Sequence, residues 1–239
     1  MNKLPSLTVC VPLFNEEDVV EDLSVNLTKL NNDLNNKAVL NFLLIDDGSE
    51  DSTFDKLNYY FSELKNFFIL QHDSNLNLGG FLKSSINFAT TDYITFLDSD
   101  CTFDPQLIVP MLEIIENGYD VVNASHLHPK GDIKNVIPWR ILISKFANTI
   151  YRILLRKKVY SFTSIFKMYR LKKIKNINIE LYGFVAVTEL FVKCLLLDAK
   201  YYEFPCSLTT RNKGVSKLRY IETIGVHLRF IIKILRKKF

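Results

Sequence analysis

Through the first half of the chain, short apolar runs that end on acidic or turn-forming residues alternate with stretches whose apolar residues recur every three or four positions. Leu7-Thr8-Val9-Cys10-Val11 is one such run, stopped by Pro12, and it predicts a buried strand with a loop after it. Residues 40–45, 67–70, 93–97 and 120–124 repeat the pattern, and Asp46-Asp47-Gly48-Ser49 and Asp98-Ser99-Asp100 close two of these runs. Val20, Leu23, Leu27 and Leu30 mark a helix over 17–30 with acids in its first turn. Further helices fit 53–64, 80–88 and 105–116, the last opened by Pro105. Strands separated by helical stretches of about ten residues predict βαβ units: an α/β fold with a mostly parallel sheet flanked by helices.

The second half is less regular. Residues 139–155 predict a helix ended by Arg156-Lys157-Lys158, 161–169 a strand, and 185–197 another helix. From 216 to 239, Leu218, Ile221, Ile224, Leu228, Ile231, Ile232, Leu235 and Phe239 share one face, while Arg219, Arg229, Lys233, Arg236 and Lys237 share the other. That period fits a basic amphipathic helix lying on anionic lipid and equally a helix covering the sheet.

Composition narrows the class. In 239 residues, 48% are hydrophobic and 23% charged, which suits a folded core rather than a disordered or collagenous chain. The net charge of +4 hides an asymmetry. Residues 1–104 hold 6 Lys and Arg against 17 Asp and Glu, 105–210 hold 15 against 8, and 211–239 hold 9 against 1. An acidic half beside a basic one suggests a site for a cation next to a site for an anion, with no sign of a nucleic-acid partner. No apolar run approaches the ~18–20 residues of a membrane-spanning helix, and the start lacks a signal-peptide pattern. Cys10, Cys101, Cys194 and Cys206 form no C-x-x-C pair, so free thiols in a cytoplasmic chain are expected.

Ligands of open α/β sheets bind at the carboxyl ends of the strands. Glu16 falls there after the first strand, Asp46 and Asp47 after the second, and Asp98 and Asp100 after the fourth. Asp and Gly also mark ordinary turns, yet three acidic strand ends in one sheet repel one another unless a cation or donors sit among them. Two carboxylates at i and i+2 suit a hard divalent cation whose other ligands are water and phosphate.

Val11-Pro12-Leu13-Phe14-Asn15-Glu16-Glu17, Leu44-Ile45-Asp46-Asp47-Gly48-Ser49 and Phe96-Leu97-Asp98-Ser99-Asp100 resemble the three signature segments of family 2 glycosyltransferases, over roughly residues 5–125. Later segments resemble the dolichol-phosphate mannosyltransferase branch as far as about residue 220. They include Trp139-Arg140, Ser164 to Arg170, Gly183-Phe184 with Glu189, Phe204-Pro205, and Arg211 to Leu218. The resemblance implies a GT-A (Rossmann-like) domain over 1–215, with a nucleotide-sugar half at 1–125, an acceptor half at 126–215 and the helix of 216–239 appended. It implies transfer, with inversion, from a nucleotide-diphosphate sugar of GDP-mannose or UDP-hexose type to a polyprenyl phosphate. By the same resemblance, Pro12, Phe14, Asn15, Glu16, Asp46, Asp47, Gly79, Gly80, Asp98 and Ser99 line the nucleotide sugar. Asp98 and Asp100 hold Mg²⁺ or Mn²⁺, and Arg140, Arg211, Ser216 and Lys217 meet the acceptor phosphate. The membrane is reached at its cytoplasmic face, peripherally through the tail or through a membrane-bound partner subunit.

Two positions depart from the branch. Ala124-Ser125-His126 stands where Gly-Ser-Arg is common, so His126 replaces an expected phosphate-binding Arg, and Thr102 stands where the metal site commonly gains a Gln. A transferase acting on a glycan or glycolipid hydroxyl is the alternative, with Glu189 as its base. A non-catalytic subunit of the same fold is a second.

Overall fold

A computed structural model describes residues 3–134, 136–209 and 220–236, with backbone alone at 140 and 220–222. The first half follows the pattern closely. Strand β1 (Ser6–Leu13) leads into helix α1 (Val20–Leu34), β2 (Val39–Asp46), α2 (Thr53–Phe61), β3 (Phe67–Gln71), α3 (Asn77–Phe88) and β4 (Tyr93–Phe96). A 3₁₀ turn over Pro105–Leu107 runs into α4 (Ile108–Glu116), and β5 (Val121–Ser125) follows. Asp104 caps that turn through its side chain, which accepts from Gln106 N, and Pro105 occupies the first position, where a missing N–H costs nothing.

The second half comprises β6 (Asp132–Ile133), α5 (Pro138–Leu155), β7 (Lys167–Arg170), α6 (Leu171–Ile174), α7 (Val185–Leu196), β8 (Tyr201–Pro205), β9 (Ser207–Leu208) and α8 (Tyr220–Leu235). The strand expected over 161–169 shrinks to the four residues Lys167–Arg170 in the described fold. Before them, Tyr160 N, Ser161 N and Phe162 N turn to side-chain acceptors on Glu203 and Asn148, so no ladder forms there. The short helix α6 and the strands β6, β8 and β9 add to the expected elements.

Seven strands form one sheet in the order β3-β2-β1-β4-β7-β5-β8. Strands β1 to β4 are parallel, β7 runs antiparallel to both β4 and β5, and β8 is parallel to β5. Strands β6 and β9 pair separately. After β1 the chain moves outward to β2 and β3 and then returns to β4 on β1's other side. That reversal opens a crevice at the carboxyl ends of β1 and β4, where ligands of such sheets bind.

Two apolar layers sandwich the sheet. One packs α1, α2 and α4 on Val9, Val11, Phe42 and Leu44, and the other packs α3, α5, α7 and α8 on Cys10, Leu43, Ile45, Phe96 and Tyr169. Helix α8 contributes Phe230 and Ile234 to the second layer, a face other than the one read from the sequence: of that one, Ile224, Leu228, Ile232 and Leu235 stay exposed.

Candidate active site

The parallel register brings the acidic strand ends to one edge. Leu13 pairs with Asp46 and Asp46 with Gln71, while Phe96 pairs with Cys10, so Asp98 follows two residues beyond that pair. Pro12, Phe14, Asn15 and Glu16 therefore lie on the same rim as Asp46, Asp47 and the Asp98–Asp100 segment. Residues beyond the strands bend sharply: Asn15, Asn77 and Cys101 all have left-handed backbone (φ 49°, 58° and 52°), which Asn tolerates better than most residues.

The rim is stapled by side chains. Asn15 N donates to Ser49 Oγ (2.9 Å), Asn15 Oδ1 accepts from Glu50 N (2.8 Å), and Glu16 N donates to Thr53 Oγ1 (2.8 Å). Asp46 is fully buried, and Gln71 Nε2 donates to its Oδ2 at 3.1 Å. Its Oδ1 is also buried but has no hydrogen-bond partner among the described residues. A buried carboxylate oxygen left without a donor costs about 1–3 kcal/mol or more, a cost that a ligand N–H or O–H would remove. Asp47 points elsewhere: its Oδ1 accepts from Leu76 N (2.9 Å) and from His72 Nδ1 (2.6 Å).

Asp98 and Asp100 lie half-buried on the segment just past β4. Burial and the neighbouring Asp100 push the Asp98 carboxyl up to about 8, and burial raises that of Asp100 as well. Asp100 Oδ1 accepts from Thr102 N at 3.1 Å. Two acids held together against their preference fit a site for a divalent cation. Among the described residues no group of three His, Cys, Asp or Glu gathers, so the donor set suits Mg²⁺ or Mn²⁺ bound by two carboxylates, with phosphate and water completing the shell.

Gly79 and Gly80 open α3 beside this rim. A Cβ on Gly79 would come within 2.4 Å of the Leu181 carbonyl oxygen, so only glycine fits. Glu189 fixes that neighbour. It is buried, its Oε2 accepts from Leu181 N (2.8 Å) and Glu180 N (3.0 Å), and its Oε1 pairs with Lys193 (2.8 Å). Both oxygens are thus engaged, Oε2 by the 180–181 backbone and Oε1 by Lys193. Arg140 stands in the first turn of α5 with its side chain outside the described residues, and Arg211, Ser216 and Lys217 lie outside them altogether. The described chain leading toward them ends at Thr209, whose N and Oγ1 both donate to Thr102 O at 3.0 Å.

Three groups beside the site carry no role in the sequence reading. Lys167 is fully buried opposite Phe96, and its ammonium donates to the Phe162 and Ser164 carbonyls and lies 4.9 Å from the Phe191 ring. Burial lowers its pKa to about 7, against the pull of Glu203 and Asp98. Glu203 clamps Tyr160 N, Ser161 N and Asn123 Nδ2, and His72 bridges Asp47 and Ser84. A lone Lys inside the apolar run Ile165-Phe166-Lys167-Met168-Tyr169 was the legible signal for the first. His126 is pushed down to about 4 by burial and by Lys167, so the ring is neutral at pH 7 and does not replace an arginine's charge.

The mostly parallel sheet and the acids gathered at its carboxyl edge can be compared with known proteins. The chain belongs to glycosyltransferase family 2: the profile described as "Glycosyl transferase family 2" matches residues 8–177. Among curated proteins it is similar to the dolichol-phosphate mannosyltransferase of Pyrococcus furiosus, at 26% identity over 96% of this chain and 64% of that one. It is also similar to the undecaprenyl-phosphate mannosyltransferase of Micrococcus luteus, at 25% identity over 87% of this chain and 85% of that one. The chain thus spans just under two thirds of the archaeal protein's length. Solved structures of glucosyl-3-phosphoglycerate synthase from Mycobacterium tuberculosis share the GT-A fold. The complex with Mn²⁺, UDP and glucosyl-3-phosphoglycerate aligns at TM-score 0.66 and that with Mg²⁺ and UDP at 0.68, each over 97% of this chain and 78% of theirs at 18% identity.

Proposed function

We propose that this protein is a metal-dependent, inverting transferase that moves a sugar from a nucleotide-diphosphate sugar, of GDP-mannose or UDP-hexose type, to a polyprenyl phosphate. The observation that carries the reading is the half-buried Asp98–Asp100 pair at the crevice between β1 and β4, two acids that a divalent cation would relieve. The unpartnered Asp46 Oδ1 supports a nucleotide beside it, and the names of the curated relatives support the lipid phosphate. Residues 1–125 form the nucleotide half and 126–215 the acceptor half, with 216–239 as an appended helix.

Pro12, Phe14, Asn15, Glu16 and Asp46 line the base and ribose, with Gly79, Gly80 and Ser99 admitting the rest of the donor. Asp98 and Asp100 hold Mg²⁺ or Mn²⁺, which supplies positive charge to the departing diphosphate. Arg140 and Arg211, with Ser216 and Lys217, receive the acceptor phosphate in forked hydrogen bonds. A phosphate is ionised at pH 7, so positioning replaces general-base catalysis. The engaged oxygens of Glu189 favour this acceptor over a glycan hydroxyl, which would need a free base. No helix among the described residues is long and apolar enough to cross a membrane. The lipid is met peripherally at the cytoplasmic face, through the C-terminal helix or a membrane-bound partner subunit.

The test is turnover with a short-chain polyprenyl phosphate and Mg²⁺ or Mn²⁺ against a panel of GDP- and UDP-sugars, following free nucleotide and glycolipid together. Sugar-phospholipid formed with one donor, and lost in Asp98→Asn, is the expected result. Nucleotide release that requires a glycan hydroxyl would transfer the reading to the alternative acceptor. Nucleotide binding without any turnover would favour a non-catalytic subunit.

A further inference from the structure

The seven-stranded sheet ends on two unlike edges. Strand β8 is guarded: Pro205 closes it, and Glu203 within it draws in the backbone N–H groups of Tyr160 and Ser161. At the other edge β3 pairs with β2 alone, and Phe67-Phe68-Ile69-Leu70-Gln71 carries no charge, proline or glycine. Natural sheets blunt open edges with such residues, so an outermost strand without them is open to pairing. Its backbone groups are committed alternately. Phe42 N donates to Asn66 O and His72 N to Asp46 O, while the register sets Phe42 beside Phe67 and Asp46 beside Gln71. Residues 66, 68, 70 and 72 therefore turn their N–H and C=O groups toward β2, and Phe67, Ile69 and Gln71 turn theirs outward. Phe67 N is taken by Leu64 O, but no other described strand meets Ile69 or Gln71. The side chains share the exposure: Phe68 is 39% exposed, and Ile69 and Leu70 are half-buried.

Register and charge select the partner. With a two-fold axis through Ile69, this residue exchanges both backbone bonds with Ile69 of a second copy, and Gln71 N reaches Phe67 O. Phe68 then lies against Leu70 of the second copy on one face of the joined sheet. The same axis brings exposed Lys65, just before the strand, toward exposed Asp73, just after it. A shift of the axis to Phe68 would instead draw Glu63 toward Asp73, like charge toward like. Each copy offers one open edge, so the contact closes as a dimer and does not propagate as a fibre.

We infer that β3 is a self-association edge, on which two copies of this chain join their sheets through an antiparallel β3–β3 ladder centred on Ile69. A ladder this short buries little area, so the dimer is weak and forms and dissolves with concentration. Pairing needs neither donor nor acceptor and stands or falls apart from the reaction proposed above.

Sedimentation velocity of the full chain over a range of concentrations should show monomer giving way to dimer. Amide hydrogen exchange at Ile69 and Gln71, open in the monomer, should slow as the dimer forms, whereas Leu70, already bonded to β2, should change far less. Ile69→Pro removes an N–H that the chain's own sheet does not use, a change that edge strands tolerate, and should abolish the dimer with unchanged circular dichroism. Should that variant fail to fold, charge reversal decides instead. Lys65→Asp and Asp73→Lys should each weaken dimerisation roughly fivefold, and the two together should restore it. A chain that stays monomeric at its highest soluble concentration overturns the inference. So does a dimer that the folded Ile69→Pro variant keeps, or one indifferent to both charge reversals. Dimerisation without slowed exchange at Ile69 would assign the contact to another face and equally overturn it.

Discussion

His72 takes hydrogen bonds to two side chains that the fold brings from opposite directions along the chain. Its Nδ1 lies 2.6 Å from Asp47 Oδ1, and since a carboxylate only accepts, Nδ1 carries the proton. In the neutral ring Nε2 then accepts from Ser84 Oγ at 2.8 Å. With Leu76 N also on Asp47, these bonds tie the ends of β2 and β3 to α3 and to the loop before it. His72→Phe should cost about 1–3 kcal/mol in urea unfolding, because it leaves Asp47 and Ser84 short of partners. Nucleotide affinity should fall with it, since Asp46 and Gly79 lie on the tied segments. An unchanged unfolding midpoint would contradict this account. Gly79→Ala should be worse tolerated: its Cβ would meet the Leu181 oxygen at 2.4 Å, backbone that Glu189 holds in place. Thermal unfolding of that variant should start well below the parent's, and Glu189→Gln, which loosens the same loop, should partly relieve the clash.

At the scale of elements, α8 is anchored by polar contacts that respond to acid. Burial pushes the His227 pKa down to about 4, so its ring stays neutral in the folded chain, whereas an unfolded histidine takes up a proton near pH ~6.5. The unfolded state therefore binds more protons between those values, and this contribution to stability declines as pH falls from about 6.5 toward 4. Glu180 acts in the same direction. Hydrogen bonds from Lys233 and Lys193 lower its pKa, so what it contributes is present above the ordinary glutamate range and lost as pH falls below it. Limited proteolysis should cut α8 faster at about pH 5 than at pH 7, and Tyr151→Phe should already loosen the helix at pH 7. Equal cutting at both values would show that apolar packing alone holds it. Whether this helix covers the sheet or lies on lipid could not be read from the sequence, because one period fits both. Strands β1, β2 and β4 were legible because each is an apolar run closed by Pro or Asp, and β3 because Phe67 to Leu70 is a short apolar run between polar stretches. Strand β8 was not: Tyr201-Tyr202-Glu203-Phe204-Pro205 has a buried-side Glu and a Pro, and its place is fixed by pairing with β5. Among site residues, Asp46, Asp98 and Asp100 announced themselves as acids at strand ends. The other engagement of Asp47 depends on His72, whose approach only the assembled sheet reveals.

Across the whole molecule, the acidic rim works against the stability that the rest of the fold supplies. Asp98 is carried into a partly dehydrated position next to Asp100, and Lys167, the nearby cation, is itself desolvated and bonded to carbonyls rather than to the acid. A group whose ionisation is resisted in the folded chain but free in the unfolded one destabilises the fold at neutral pH. On the proposed function, activity and stability pull apart at this residue, as they do where sites hold charge for a ligand. Asp98→Asn keeps the shape and removes the charge. In metal-free buffer at pH 7 the variant should melt higher than the parent, on the order of 2–4 °C, which for a chain of this size corresponds to about 1 kcal/mol. Addition of Mn²⁺ with a nucleoside diphosphate should reverse the ranking. The parent gains stability in proportion to ligand bound to the folded state alone, while the variant gains little. Differential scanning fluorimetry on both proteins, with and without the metal and nucleotide, measures all four values. A variant that melts lower than the parent without metal would mean that the Asp98 carboxylate is structurally satisfied by the protein itself. The rim would then be a structural brace rather than a cation site.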